Sequence, residues 1–279
     1  MTDDATIVRA CAKVNLLLRV GPKREDGYHE LVTLIARISL ADVLLISDAA
    51  ETTVDCPAIP SGDTLVTRAI RLLCETAGHR AGFHVHIDKR IPVGAGLGGG
   101  SADAAAALRF ANDLLPRPLI DSELHRLAAL IGSDVPALLH DEATVARGRG
   151  DRVEVLGQLP AGWLALAHPG RPLATRDVYQ RYRPEARPLP GAIALPQTLE
   201  EMAALIENDL AVPAEALEPG CRGLREQFTE LGAMAACVSG SGSVVFGLFR
   251  TEQEATAAAA KVRDAPWTAT AAVGTHPGE

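Results

Sequence analysis

Residues 92–101 read P-V-G-A-G-L-G-G-G-S and run directly into A-D-A-A-A-A-L. Five glycines fall within the seven positions 94–100. Glycine inside a regular element costs about 0.5–1 kcal/mol relative to alanine, so a chain that places this many together is using bare backbone. Exposed N–H groups in such a loop attract an anion, most simply a polyphosphate. Residues 102–108 have high helix propensity, and Ser101 stands where a helix N-cap is expected. Upstream, 83–87 (F-H-V-H-I) alternates as a strand does. The pattern predicts strand, glycine loop and helix, with the positive end of the helix dipole aimed at a phosphate.

Other glycine loops fit less well. Gly94-Ala95-Gly96-Leu97-Gly98-Gly99 satisfies G-x-G-x-x-G, and Asp113 follows at a plausible distance. That fingerprint belongs to the first strand–helix turn of a doubly wound sheet. Here a long stretch without strand–helix alternation comes first. A Walker A loop needs Gly-Lys-[Ser/Thr], whereas this one ends in Gly-Gly-Ser. Neither H-R-D nor D-F-G occurs, so protein-kinase signatures are missing. A flexible linker would be polar on both sides, without a central leucine and an apolar helix at its end.

The net charge of −8 argues against a nucleic-acid partner or an anionic membrane surface. An anionic ligand must therefore be attracted locally. At 279 residues with 47% apolar composition, the chain is long enough for two ordinary domains. A composition shift near Leu159-Pro160-Ala161-Gly162 suggests domains at 1–158 and 159–279. No apolar run is long enough to span a membrane, and Met1-Thr2-Asp3-Asp4 is too acidic for a signal peptide. Five scattered cysteines without a Cys-x-x-Cys pair read as reduced, buried thiols of a cytoplasmic protein.

Further along the chain, 6–20 reads as a strand with Cys11, Lys13 and Asn15 on one face. Strands are also expected at 35–47, 51–55 and 143–156, and helices at 64–76, 101–114 and from Ser122 to about Ile131. The second half reads strand–helix–helix–strand–strand–helix–strand, with its first two helices at 198–208 and 217–231. That order suggests an α+β, ferredoxin-like sheet. The proline-rich stretch 181–197 reads as loop. Lys13 has almost wholly apolar neighbours, so its ammonium needs an anionic partner. Asp134, before Val135-Pro136, reads as a helix N-cap that is still exposed enough to meet a ligand. His84 and His86 share a strand face but lack a third ligand, so they read as a solvated pair rather than a metal site.

Pro92, Gly94, Gly96, Leu97 and Gly98 resemble the phosphate loop of the GHMP kinases (galactokinase, homoserine kinase, mevalonate kinase, phosphomevalonate kinase). Ala12-Lys13-Val14-Asn15-Leu16, Asp26-Gly27-Tyr28-His29-Glu30, Gly100-Ser101-Ala102-Asp103 and Ser239-Gly240-Ser241-Gly242 are similar to the branch acting on diphosphocytidyl-methylerythritol. The resemblance implies two lobes, the first ribosomal-protein-S5-domain-2-like and the second ferredoxin-like. It implies ATP and magnesium, with 92–102 (Pro92, Val93, Gly94, Ala95, Gly96, Leu97, Gly98, Gly99, Gly100, Ser101, Ala102) and Asn15 at the nucleotide. Lys89 is placed near the adenine. No acidic cage for magnesium is visible, although Ser101 is a candidate ligand. Lys13 and Asp134 become the catalytic pair, with Asp134 accepting the hydroxyl proton late, as loose phosphoryl transfer permits. Tyr28, His29 and Tyr179 would hold a cytosine by stacking and edge contacts, with Thr175 and Ser241 also at the substrate. Thr64 departs from the family's asparagine, which puts adenine contacts in doubt. The partners implied are small molecules, and the protein is expected to be a monomer or weak homodimer. The alternatives are another GHMP kinase, such as homoserine kinase, or a non-catalytic nucleotide-binding regulator.

Overall fold

From 29 to 49 the chain contains neither glycine nor proline, and β-formers dominate it. In a computed structural model, which describes residues 5–59, 64–80, 82–184 and 187–274, this stretch is one unbroken strand, β2 (His29–Ala49). The strand expected at 35–47 extends back to His29 because no breaker interrupts the segment. β2 pairs antiparallel with β1 (Thr6–Lys23) along nearly its whole length. The register shifts between Cys11 and Lys13, so face alternation does not carry across this point. Lys13 and Asn15 line the main cleft, whereas Cys11 lines a separate small cavity beside Arg9 and Arg37.

β3 (Thr53–Asp55), α1 (Leu65–Ala77) and β4 (Gly82–Asp88) follow. Thr64 caps α1 by accepting the Thr67 N–H, and Gly78 closes the helix at φ 64°. Asp63 and the N-terminal residues 1–4 lie outside the described residues. α2 (Gly99–Leu114), α3 (Asp121–Ile131) and the single turn α4 (Val135–Leu138) pack with α1 over the first sheet. α3 starts one residue before Ser122, where the Glu123 carboxylate accepts the Ile120 N–H. β5 (Ala143–Gly148) and β6 (Arg152–Gly157) form a hairpin on the other flank of β2.

The second half runs β7 (Gly162–His168), α5 (Thr175–Arg181), α6 (Leu199–Leu205), β8 (Glu207–Asn208), α7 (Ala211–Leu217) and α8 (Pro219–Glu230). It ends with β9 (Ala235–Val238), β10 (Val245–Phe249), α9 (Glu252–Lys261) and β11 (Trp267–Val273). The order β11-β7-β10-β9, antiparallel throughout, is the ferredoxin-like arrangement foreseen from the sequence. Three details differ from expectation. Helices α5 and α7 are additional to those expected, and the helix expected over 198–208 stops at Leu205. Glu207 and Asn208 instead pair in parallel with Leu17 and Leu18 of β1. Asn208 then donates to the carbonyls of Val238 and Gly240 and accepts from Leu210 N, so tertiary hydrogen bonds override the helical pattern.

β11 also meets β2, at Val273 and Ile38, and joins the two halves into one continuous sheet. A central core lies at this junction, drawing Leu16, Leu34, Leu97, Leu164 and Phe246 from both halves. All five cysteines are buried and unbridged, and burial pushes the thiols of Cys221 and Cys237 up to about 12. Thiolate is the reactive form, so iodoacetamide at about pH 8 should label none of the five in the native protein and all of them in denaturant. Mass spectrometry of the alkylated protein reads this directly.

Candidate active site

Lys13 is the buried pivot of the site. Its side chain is 4% exposed, too little for water to solvate an ammonium, so protein acceptors must do so. Nζ donates to Asn15 Oδ1 at 2.6 Å and to the Gly96 carbonyl at 3.0 Å, and lies 3.4 Å from Asp134 Oδ2. Asn15 is held in turn, because its Nδ2 donates to Thr33 Oγ1, which donates to the Leu17 carbonyl. Asp134 stands at the N-cap of α4 but makes no capping hydrogen bond. The capping role expected from its sequence position is therefore not taken. The carboxylate, 37% exposed, turns to Lys13 and the cleft instead.

The glycine loop wraps this ammonium. Gly98, not Ser101, caps α2: its φ of 68° is left-handed, and the helix begins at Gly99. Ser101 falls within the first turn and lines the cleft. Gly96 has φ 84°, and a Cβ there would sit 2.2 Å from the Ser239 carbonyl. The close approach is bonded as well, since Ser239 Oγ donates to the Gly96 carbonyl and Val244 N donates to Ala95 O. The glycine–serine turn at 239–243 thus supports the loop from below. Leu97 and Ala102 do not face the cleft; their side chains are buried in the two flanking cores. Apolar side chains here anchor the loop, leaving backbone for a ligand.

Lys89 also differs from expectation. Its ammonium is buried and bound to Asp42 at 2.5 Å and to Asp103 at 2.8 Å. Burial pushes the Asp103 carboxyl up to about 7, against the pull of Lys89. A side chain with two buried carboxylates as partners is a poor adenine ligand. The Thr64 hydroxyl is likewise occupied as a helix cap.

The cleft, of about 1170 Å³, runs from this loop to an aromatic end. His29 Nδ1 donates to the Gly21 carbonyl at 2.9 Å, which leaves Nε2 as an acceptor. The His29 ring lies 5.5 Å from Tyr179 and 5.9 Å, edge-on, from Tyr182. The Tyr182 hydroxyl donates to the Val20 carbonyl. Burial, and then the Asp134 charge, push the Tyr179 phenol up, so it stays neutral. Tyr28 is half exposed, with the Arg149 guanidinium 5.6 Å from its ring centre. Thr175 and Ser241 share a hydrogen bond of 2.9 Å across the cleft rim. Among the described residues no group of three or more His, Cys, Asp or Glu is placed to hold a metal ion. His84 and His86 bond instead to Thr53 and Asp55.

Sequence inspection missed Thr33, Asp42, Arg149, Tyr182 and His168. His168 Nδ1 accepts from Gly170 N, so Nε2 carries the proton toward Ser243 Oγ, which donates to the Arg171 carbonyl. This relay ties the 239–243 turn to the segment carrying Leu173 and Thr175. Asp42 had a visible signal, a carboxylate in the middle of the largely apolar β2; Tyr182 and His168 had none that is local.

A glycine loop in one half, set against a ferredoxin-like second half around a buried lysine paired with a cleft-facing aspartate, defines a GHMP-type small-molecule kinase. Residues 64–142 match the GHMP kinases N terminal domain and 192–267 the GHMP kinases C terminal domain. The chain is 40% identical over 266 residues to 4-diphosphocytidyl-2-C-methyl-D-erythritol kinase of Parvibaculum lavamentivorans, covering 90% of this chain and 91% of that one. It is 39% identical to the same enzyme of Citrifermentans bemidjiense over 264 residues, covering 92% of this chain and 94% of the relative. A crystal structure of 4-(cytidine 5'-diphospho)-2C-methyl-D-erythritol kinase superposes with a TM-score of 0.83 at 37% identity, over 97% of this chain and all of that one. Homoserine kinase from Cytophaga hutchinsonii shares the fold, with a TM-score of 0.70 at 20% identity. The chain belongs to the 4-diphosphocytidyl-2-C-methyl-D-erythritol kinase family and takes ATP as co-substrate.

The Gly96 geometry is testable. Gly96→Ala puts a Cβ into a left-handed residue against backbone, a strain on the order of 1–3 kcal/mol before the clash is counted. Chemical denaturation should show a lower midpoint with an unchanged slope, together with loss of nucleotide binding.

Proposed function

We propose that the protein transfers the γ-phosphoryl group of ATP to the 2-hydroxyl of 4-diphosphocytidyl-2-C-methyl-D-erythritol. The observation that carries this reading is the joining, in one cleft, of the Lys13–Asp134 pair beneath a glycine loop to an aromatic, histidine-bearing far end. ATP would lie with its phosphates on the backbone of 94–101, at the N-terminus of α2. Asn15 and Pro92 border that position. Magnesium would arrive on the nucleotide's phosphates, with Ser101 as its candidate protein ligand. Bound there, it would neutralise phosphate charge during transfer.

The acceptor hydroxyl would sit between Lys13 and Asp134. Its oxygen attacks the γ-phosphorus while the bond to the ADP oxygen breaks. Its proton passes to Asp134 late, once the new P–O bond has made that oxygen acidic. A carboxylate is too weak a base to remove an alcohol proton in the ground state, so Asp134 first serves to orient the hydroxyl. Lys13 would stabilise negative charge on the reacting oxygens. At the far end His29 Nε2 is an acceptor suited to the exocyclic amine of cytosine, with Tyr28 and Tyr179 as flanking planes. Thr175 and Ser241 would border the diphosphate.

On this reading 1–158 forms the ATP-binding lobe and 159–279 the second lobe. The enzyme works as a monomer or weak homodimer on small molecules, without nucleic acid. It acts in the cytoplasm, where five unbridged thiols persist.

A coupled assay of ADP release should show turnover with the cytidylyl substrate and none with homoserine or mevalonate. Turnover of homoserine alone would refute the cytidine assignment. Asp134→Ala should lower kcat by roughly 100- to 10,000-fold. His29→Ala should chiefly raise KM for the cytidylyl substrate, because the ring's contacts are with Gly21, Tyr179 and Tyr182 and not with Lys13 or Asp134.

A further inference from the structure

Three charged side chains beneath the glycine loop take no part in the chemistry above. Lys89, Asp42 and Asp103 are all nearly or fully buried, and both carboxylates bond the same ammonium. They come from three places. Asp42 is in the middle of β2, Lys89 follows β4 just before the loop, and Asp103 is one turn into α2 just after it. Asp42 also uses its second oxygen, Oδ1, to accept the backbone N–H groups of Arg90 and Ile91, at 2.5 and 2.8 Å. Those two residues lie outside any helix or strand and lead directly into Pro92. The cluster fits tightly against the loop: a Cβ on Gly99 would lie 2.9 Å from the Ile91 side chain and 3.2 Å from Lys89 Nζ.

A loop that offers bare N–H groups to phosphate must hold them in place before the ligand arrives, because glycine has the most backbone freedom to lose. Its two ends here meet on one buried ammonium anchored to the sheet. Burying two carboxylates and one ammonium is costly. With its ammonium bonded to both carboxylates, the cluster presents no free positive charge to attract phosphate. We infer that Asp42, Lys89 and Asp103 are positioning residues, a clamp that closes both ends of the phosphate loop on β2 and so sets affinity for ATP. This inference rests on the kinase reading for its ligand, but not for its geometry.

The two ideas make opposite predictions for Asp103→Ala. Removing a carboxylate near phosphate should lower KM for ATP if the group acts only through its charge. Losing the clamp should raise KM for ATP by about tenfold or more, while kcat and KM for the alcohol stay within about threefold of wild type. Asp103→Asn keeps an acceptor for Lys89 without the charge and should return KM for ATP to near the wild-type value. A KM that falls, or equal changes in kcat and both KM values, overturns the clamp. Hydrogen exchange on the wild-type protein needs neither a variant nor turnover. Arg90 and Ile91 should be slow to exchange without nucleotide, despite lying in a loop, and exchange at open-loop rates would overturn the proposal. Absence of kinase activity in the wild type would count against the functional reading alone.

Discussion

The buried ammonium of Lys13 is the constraint around which this site is arranged. Its acceptors come from three separated parts of the chain: Asn15 beside it on β1, the Gly96 carbonyl in the loop, and Asp134 at the start of α4. Each acceptor is itself held. Thr33 of β2 orients Asn15, and Ser239 shares the Gly96 carbonyl. Glycine at 98 and 240 is then a consequence, since a Cβ at either would press to within 3.0–3.3 Å of Lys13. The glycine loop and the Asp134 carboxylate are in register because both solvate one charge, and the turn at 239–243 joins them through Ser239 on the Gly96 carbonyl.

This arrangement explains how a protein of net charge −8 can receive polyphosphate. Attraction has to be short-range and directional. The loop supplies N–H dipoles at the start of α2, and Lys13 supplies one positive charge in the wall of the cleft. The nearby Lys89 adds no free charge, because two carboxylates consume it. Two lysines close to one loop therefore differ in how far they are neutralised, by one half-exposed carboxylate at Lys13 and by two buried ones at Lys89.

Much of this was legible in the chain because local chemistry and tertiary demand agree. The 92–101 run, the Ala-Lys-Val-Asn strand and the ferredoxin-like order of the second half all combine local propensity with the final fold. Departures arise where the two compete. Residues 206–208 carry a helical pattern yet extend, because Asn208 donates to the carbonyls of Val238 and Gly240 and accepts from the N–H of Leu210. Lys89 looked available for a nucleotide because its partners stand 47 and 14 residues away, a separation that periodicity cannot bridge. Tyr182 and His168 were invisible for the same reason.

Asp134 shows what such competition achieves. Capping would give its carboxylate a backbone N–H at the start of a helix only four residues long. A helix that short stores little energy, and Pro136 needs no N–H satisfied in its first turn. The loss of the cap is therefore small. Turning instead toward Lys13 gives the carboxylate a cationic neighbour while leaving it 37% exposed to the cleft. A well-capped, buried aspartate would be more stable and chemically idle. A weak helix behind it is what allows the carboxylate to remain turned to the cleft.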